Sequence, residues 1–314
     1  MPAMQLLRYI LIRLVKAIPL LLLITFVSFA LIQFSPSDPA EVAIRVNALT
    51  PTPELIEATR KEMGLDKPFL ERYSTWLLNA LHGDLGKRYV DGKPVAEEIA
   101  KALPPTLLLA FVAFLILLLT SVPSAIIGAI FEGRLPDILL RLLIFFTTSF
   151  PAFWAGLLLM WLFAVHWDLL PLGGLETPSS LVLPALTLAL PFIAAYTRLL
   201  RGSIIQTSQE NFVIYAKTCG KSPFSIFCHI FRNSLQSSLT GLSISLPKLI
   251  AGTFVVECIF AWPGLGRLCV TSIFNRDFPV IQAYMLVMAI FFYMFNLLME
   301  IAAAIVDPRL RDRN

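Results

Sequence analysis

The chain has 314 residues, 57% of them hydrophobic and only 15% charged, with a mean hydropathy of +0.76. Soluble domains carry roughly 25% charged residues, so this chain lacks the polar surface that water requires, and lipid is the solvent its composition fits. A net charge of +4 is too small to indicate nucleic acid; the basic residues matter through where they fall.

A membrane span needs about 20 mostly apolar residues, and about six such runs can be read in chain order. The first covers residues 9–34, with Arg13 and Lys16 near its start, where both can snorkel to the interface. Its apolar run is too long for a signal-peptide core, and no small-x-small site follows, so an uncleaved helix is expected. The second run is 106–130, after Pro104-Pro105. The third is 139–165, ending at His166 and Trp167, and the fourth is 181–200, stopping at Arg198 and Arg201. In the fifth, 239–259, Pro247 and Lys248 interrupt the pattern; the sixth, 281–306, precedes a charged tail.

Lys and Arg in short loops set orientation. With both termini cytoplasmic, the inside holds Arg8, Arg13, Lys16, Arg134, Arg141, Arg198, Arg201, Lys217, Lys221, Arg232, Arg309, Arg311 and Arg313, against Arg267 and Arg276 outside. The long segment 35–103 then lies outside. It carries nine basic and eleven acidic residues, but long loops translocate largely regardless of charge. Thr52-Pro53-Glu54 opens a helical run there, which predicts a small ordered subdomain.

Enzyme chemistry is not apparent. The histidines 82, 166 and 229 are scattered, and neither H-E-x-x-H nor G-x-S-x-G occurs. Gly220-Lys221-Ser222 imitates the end of a phosphate loop, but Tyr215 stands where its first glycine belongs. Cys219, Cys228, Cys258 and Cys269 have no C-x-x-C spacing and are expected to be small buried residues rather than a metal site or a disulfide framework. Lys248, Glu257 and Glu300 are the main ionisable residues within the apolar runs. Such residues usually face a bundle interior or an aqueous path, so they are candidate pathway-lining residues. The alternative is that Glu257 and Glu300 sit near helix ends and reach the headgroups.

The stretch 209–233, between the fourth and fifth runs, mixes apolar and basic residues. Phe212, Tyr215 and Ala216 fall at helical spacing, as do Phe224, Phe227, Cys228 and Phe231. Gly220 and Pro223 mark a turn between them. Two short amphipathic helices are predicted, offering an apolar ridge to a partner; the alternative is a surface helix lying in the headgroups.

In this stretch Glu210, Ala216, Gly220, His229, Arg232 and Asn233 resemble the coupling (EAA) loop of binding-protein-dependent ABC importer permeases. Further markers of the dipeptide, oligopeptide and nickel group run along the chain. They are Leu7-Arg8-Tyr9-Ile10, Pro36-Ser37-Asp38-Pro39, 63–68, His82-Gly83-Asp84-Leu85-Gly86, Pro94-Val95, 149–154, Ala261-Trp262-Pro263-Gly264-Leu265-Gly266 and Arg276-Asp277-Phe278-Pro279-Val280. Two departures stand out: the Gly220-to-His229 spacing is one residue short of the group's pattern, and Ser237 replaces a proline.

The resemblance implies an all-α integral membrane protein with six transmembrane helices of the type I ABC importer kind. It divides into a tail and first helix (1–34), a periplasmic segment (35–104), a five-helix core (105–306) containing the coupling loop 202–236, and a cytoplasmic tail (307–314). It also implies a permease subunit in the bacterial inner membrane, not itself an enzyme, with no cofactor of its own; ATP and Mg are used by its partner ATPase. The implied partners are a second homologous permease, two ATP-binding subunits, a periplasmic solute-binding protein and lipid. The block Trp262-Pro263-Gly264 reads as a rigid turn rather than a substrate contact. The short connection 166–180 and the stretch 273–282 look closest to nickel permeases. Nickel or a metal–chelator complex is therefore the expected cargo, with peptide the alternative. A self-sufficient carrier or channel using Lys248, Glu257 or Glu300 is the competing class; an intramembrane enzyme lacks a catalytic constellation.

Overall fold

The computed structural model describes residues 3–34, 38–47 and 50–306. Pro36-Ser37 and the charged tail 307–314 lie outside the described residues, as do the side chains of 3–10 and of Ser237. Among the described residues the secondary structure is helical, with one isolated bridge, Lys87 to Pro94, and no strand. Among the described residues four helical stretches are long and apolar enough to cross a membrane (11–33, 95–130, 178–208 and 278–301); a bent pair, 135–149 with 152–166, makes a fifth only where the pair is counted as one span. The chain divides into two compact units: Met1–Thr106 with Pro263–Tyr293, and Leu107–Trp262 with Met294–Asn314.

The first unit opens with α1 (Ala3–Gln33). The segment that follows is ordered into helices, each started by local chemistry. Before α2 (Pro39–Val46), the Asp38 carboxylate accepts the Ala40 N–H and Pro39 fixes the first turn. Thr52 and Pro53 do the same for α3 (Pro53–Glu62), which Asp38 also holds through a 2.6 Å ion pair to Arg60. α4 (Phe69–Leu81) lays Phe69, Tyr73 and Trp76 against Phe26 and Phe29 of α1 in mostly edge-to-face contacts. α5 (Val95–Ile130) begins well before Pro104-Pro105, so the boundary expected at 104/105 falls inside a continuous helix. Its first turns pack Val95, Ile99 and Ala102 on Leu265 of α11 (Leu265–Phe274) and on Val280 and Ala283 of α12 (Phe278–Val306).

In the second unit the span expected at 139–165 is broken. α6 (Leu135–Ser149) and α7 (Ala152–Met160, continued by a wider π-type turn to His166) meet at 100°. Phe150 is extended and Pro151 follows it. A residue before proline is pushed out of the helical region, and proline offers no N–H to the preceding turn. Hydropathy alone does not register this bend.

α8 (Val182–Ser208) and α10 (Pro223–Ile259) form the centre of this unit. Small residues let them approach. A Cβ on Gly241 would lie 2.9 Å from Leu199, and one on Gly252 3.1 Å from Leu188. Helices in lipid associate through such close packing rather than through hydrophobic exclusion. α10 corrects two expectations. It runs unbroken through Pro247, which is buried, so Pro247 and Lys248 do not interrupt it. The second helix expected in 209–233 is not separate but forms the opening turns of α10.

Candidate functional site

Between α8 and α10 the chain makes a compact corner. α8 ends at Ser208, and Glu210 sits in extended geometry as the cap of α9 (Asn211–Thr218). α9 stops in a Schellman arrangement: the Gly220 N–H reaches the Lys217 carbonyl at 3.0 Å and the Lys221 N–H reaches the Ala216 carbonyl at 3.2 Å. Gly220 has φ +70° with open space where a Cβ would stand, so its requirement is backbone conformation, not room. Ser222 then accepts the Ser225 N–H, and Pro223 starts α10.

The corner has an inner and an outer face. Val213, Ala216 and Ile226 are buried together, and Ile230 joins this cluster to the larger one around Leu200, Ile204 and Leu242. Phe212, Ile214, Tyr215 and Phe224 are exposed, the last two by 71% and 77%. The helical spacing read from sequence thus has two sides: Ala216 turns inward, Phe212, Tyr215 and Phe224 outward, and Phe227 stacks on Phe231 with ring centroids 6.0 Å apart. Of the expected coupling residues, Glu210, Gly220, His229, Arg232 and Asn233 are exposed, with Asn233 Nδ2 donating to the His229 carbonyl at 3.0 Å. The structure therefore brings them to one corner, and only Ala216 serves the core.

Two connections tie this corner to the helices beside it. Ser203 on α8 and Ser234 on α10 exchange hydroxyl-to-carbonyl bonds at 3.0 and 3.3 Å. Asp137, in the first turn of α6 and fully buried, receives Arg201 of α8 through a two-pronged pair at 2.6 and 2.7 Å and the Gly133 N–H at 3.0 Å. Arg141 approaches it at 3.5 Å. Sequence reasoning counted Arg201 only as a topology charge and passed over Asp137; an acid placed between Arg134 and Arg141 was the available signal.

The three expected pathway residues differ. Lys248 is exposed, Glu300 is half-buried and Glu257 is fully buried in the second unit, its carbonyl accepting the Trp262 N–H at 2.9 Å. Trp262 is also fully buried, after Ala261 at φ +49°. Opposite this turn, Gly173 comes so close to the Phe260 carbonyl that a Cβ would lie 2.0 Å from its oxygen, while the Gly174 N–H bonds that oxygen at 2.9 Å. Among the described residues no group of three or more His, Cys, Asp or Glu is placed to hold a metal. The cysteines correct their expectation, since only Cys269 is buried and Cys219, Cys228 and Cys258 are exposed.

The first unit contains a polar centre of which the sequence reading singled out only Asp277, as part of a family marker. The Asp277 carboxylate, fully buried, accepts the Tyr89 N–H at 3.0 Å and faces Arg88 at 3.5 Å. Arg88 also pairs with Asp91 at 3.0 Å and Glu98 at 3.5 Å. Burial raises the Asp277 carboxyl above its ordinary range, against the lowering influence of Tyr89 and Arg88. This network joins the loop after His82-Gly83-Asp84-Leu85-Gly86 to Arg276-Asp277-Phe278-Pro279, two blocks far apart in sequence.

Residues 121–312 match the family described as binding-protein-dependent transport system inner membrane component, and residues 6–110 match the N-terminal membrane component of the same systems. The metal-staphylopine import system permease protein CntB of Staphylococcus aureus is 35% identical over 97% of this chain and 98% of its own. A Brucella abortus protein named for peptide transport is 36% identical over 95% and 97% of the two chains. The glutathione transport system permease protein GsiC of Escherichia coli is 34% identical over 97% and 99%. A crystal structure of an amino acid ABC transporter covers 68% of this chain and 94% of its own, with a TM-score of 0.52 at 18% identity, and shares the fold.

Proposed function

The chain belongs to the family of binding-protein-dependent transport system inner membrane components and is the permease subunit of an ABC importer; on that premise we propose that it forms half of an inner-membrane pathway for nickel or a metal–chelator complex. Permease subunits of this family are not enzymes; they work with an ATPase and a solute-binding protein. In this reading a second homologous permease completes the pathway and two ATP-binding subunits, using ATP and Mg, drive it. Both termini face the cytoplasm, as the distribution of arginine and lysine favours.

The outer face of the α9–α10 corner carries the functional reading. Phe212, Ile214, Tyr215 and Phe224 form an exposed apolar ridge on a corner whose inner face is packed into the core. Aromatic residues standing out from a rigid support are what a partner's groove takes up, and a rigid corner transmits force where a loose loop would not. An epitope-tagged chain should bring down an ATPase, and Gly220→Asp, which strains the turn and adds charge to the corner, should abolish uptake. Absence of any ATPase, together with intact uptake in Gly220→Asp, would defeat this reading.

The metal assignment draws on the short connection 166–180 and on the 35% identity to a permease named for metal–staphylopine import. Peptide import is the second reading, favoured by the similarity to permeases named for peptide and glutathione transport. Uptake of radiolabelled nickel, with and without a chelator, and of a labelled dipeptide in a deletion strain separates the two. Equal nickel uptake with and without the gene, alongside gene-dependent dipeptide uptake, would reverse the preference.

A further inference from the structure

We infer that Asp137 and Arg201 are positioning residues that transmit movement of the α9–α10 corner to α6, making α6 a lever held by this pair at one end and hinged at Phe150-Pro151 at the other. The inference rests on the permease reading above.

Three observations meet here. Arg201 lies on α8 roughly two turns before Ser208, where the chain enters the corner, so displacement of α9 is felt first at this part of α8. From there the two-pronged bond at 2.6 and 2.7 Å crosses to Asp137, and the same carboxylate holds the Gly133 N–H at 3.0 Å. One side chain thus fixes both the turn that begins α6 and its distance from α8. A Cβ on Gly128 would lie 2.7 Å from Leu140 and 3.1 Å from the Arg201 stem, so the end of α5 leaves the pair little freedom to shift sideways.

At its other end α6 stops against the extended Phe150, and the chain turns by 100° into α7. A helix gripped at one end and broken at the other can tilt without unwinding. Hinges are commonly a few element-terminal residues that absorb the change in backbone angle. Its outward residues Leu139, Leu142, Leu143, Phe145 and Phe146 are exposed, so tilting costs α6 little packing on that side.

A buried ion pair is weak evidence for stability, since apolar residues of similar volume often serve as well or better. What apolar residues cannot supply is a fixed two-pronged geometry that pulls as well as pushes. The Ser203–Ser234 exchange, about half a turn further along α8, keeps α8 and α10 moving together at this level. Arg201 is therefore placed to carry the motion of the whole corner, not of α8 alone.

The test uses the complete transporter in proteoliposomes and measures cargo taken up per ATP hydrolysed. Asp137→Asn and Arg201→Lys keep size but lose the fork, and Asp137→Asn/Arg201→Gln removes both charges so that neither is left buried alone. Co-purification of the wild-type chain with the ATPase is read first. Its failure counts against the permease reading itself, independently of the variants.

In the double variant, assembly and ATP hydrolysis should stay near the wild-type level. Uptake per ATP should fall roughly 10-fold, inside the range of 5- to 150-fold that coupling between sites typically spans. A purely structural role would lower assembly, hydrolysis and uptake in parallel. The inference is overturned if every variant that assembles keeps the wild-type ratio, or if even the double variant fails to assemble.

Discussion

Asp137 and Asp277 are both fully buried aspartates that face an arginine, and the two sites solve the same problem in opposite ways. Asp137 has Arg201 on both oxygens at 2.6 and 2.7 Å, with a backbone N–H as third donor. Asp277 has one good donor, the Tyr89 N–H at 3.0 Å, and meets Arg88 only at 3.5 Å because that arginine is shared with Asp91 and Glu98. The first is a committed two-body clasp. The second is a network in which no carboxylate owns the cation. Among the described residues Arg201 has no second carboxylate to turn to if Asp137 is lost, whereas Arg88 without Asp277 keeps two others. The same residue types, equally buried, therefore support different functions: a coupling element in one unit and a tolerant tie in the other.

The largest effect should come from breaking the clasp. Asp137→Ala leaves Arg201, only 18% exposed, without its carboxylate, and should destabilise the purified protein by ~3 kcal/mol, measured as thermal unfolding in detergent. Asp277→Asn should cost far less, about 1 kcal/mol or below, because the amide oxygen can still accept the Tyr89 N–H and Arg88 retains Asp91 and Glu98. Equal losses at the two sites would erase the distinction.

A smaller effect concerns pH. Because burial raises the Asp277 carboxyl, the native state keeps its proton at pH values where the unfolded chain has released it. This group's contribution therefore favours folding below the ordinary carboxylate value. That advantage is lost as pH rises from there to the raised native value, above which the buried charge is a fixed penalty. Asp277→Asn should flatten this part of the stability–pH curve; an unchanged slope would place the titration elsewhere. The smallest effect belongs to Arg141→Ala. Arg141 is 56% exposed and 3.5 Å from Asp137, so its removal should cost no more than ~0.5 kcal/mol. A larger loss would mean that the clasp is a three-body network after all.

Much of this architecture was legible because membrane spans and helix punctuation are local properties. α1 and α12 are apolar on most faces, and Gly220 followed by Ser222-Pro223 marks a stop and a start in neighbouring residues. What sequence missed is geometric. Hydropathy treats 139–165 as one run because it averages over Phe150-Pro151 and does not sense direction. Pro247 reads as an interruption, yet α10 continues through it with Pro247 packed in the core. Periodicity grouped Ala216 with Phe212 and Tyr215, but only the fold shows that Ala216 faces Val213 and Ile226 while the aromatics face out. Asp137 and Arg201 are far apart in sequence, and topology rules count the arginine while passing over the aspartate.

The outward ridge of the α9–α10 corner as the surface that meets the ATPase is the centre of the account. Replacing Tyr215 and Phe224 together by aspartate alters that ridge while leaving the buried Val213, Ala216 and Ile226 untouched. The decisive measurement is the amount of ATPase retained on the tagged chain after purification, for wild type and this double variant. The account predicts that the variant reaches the membrane at normal level, keeps its thermal stability and loses the ATPase. Retention of the ATPase at the wild-type level, with uptake intact, would contradict it.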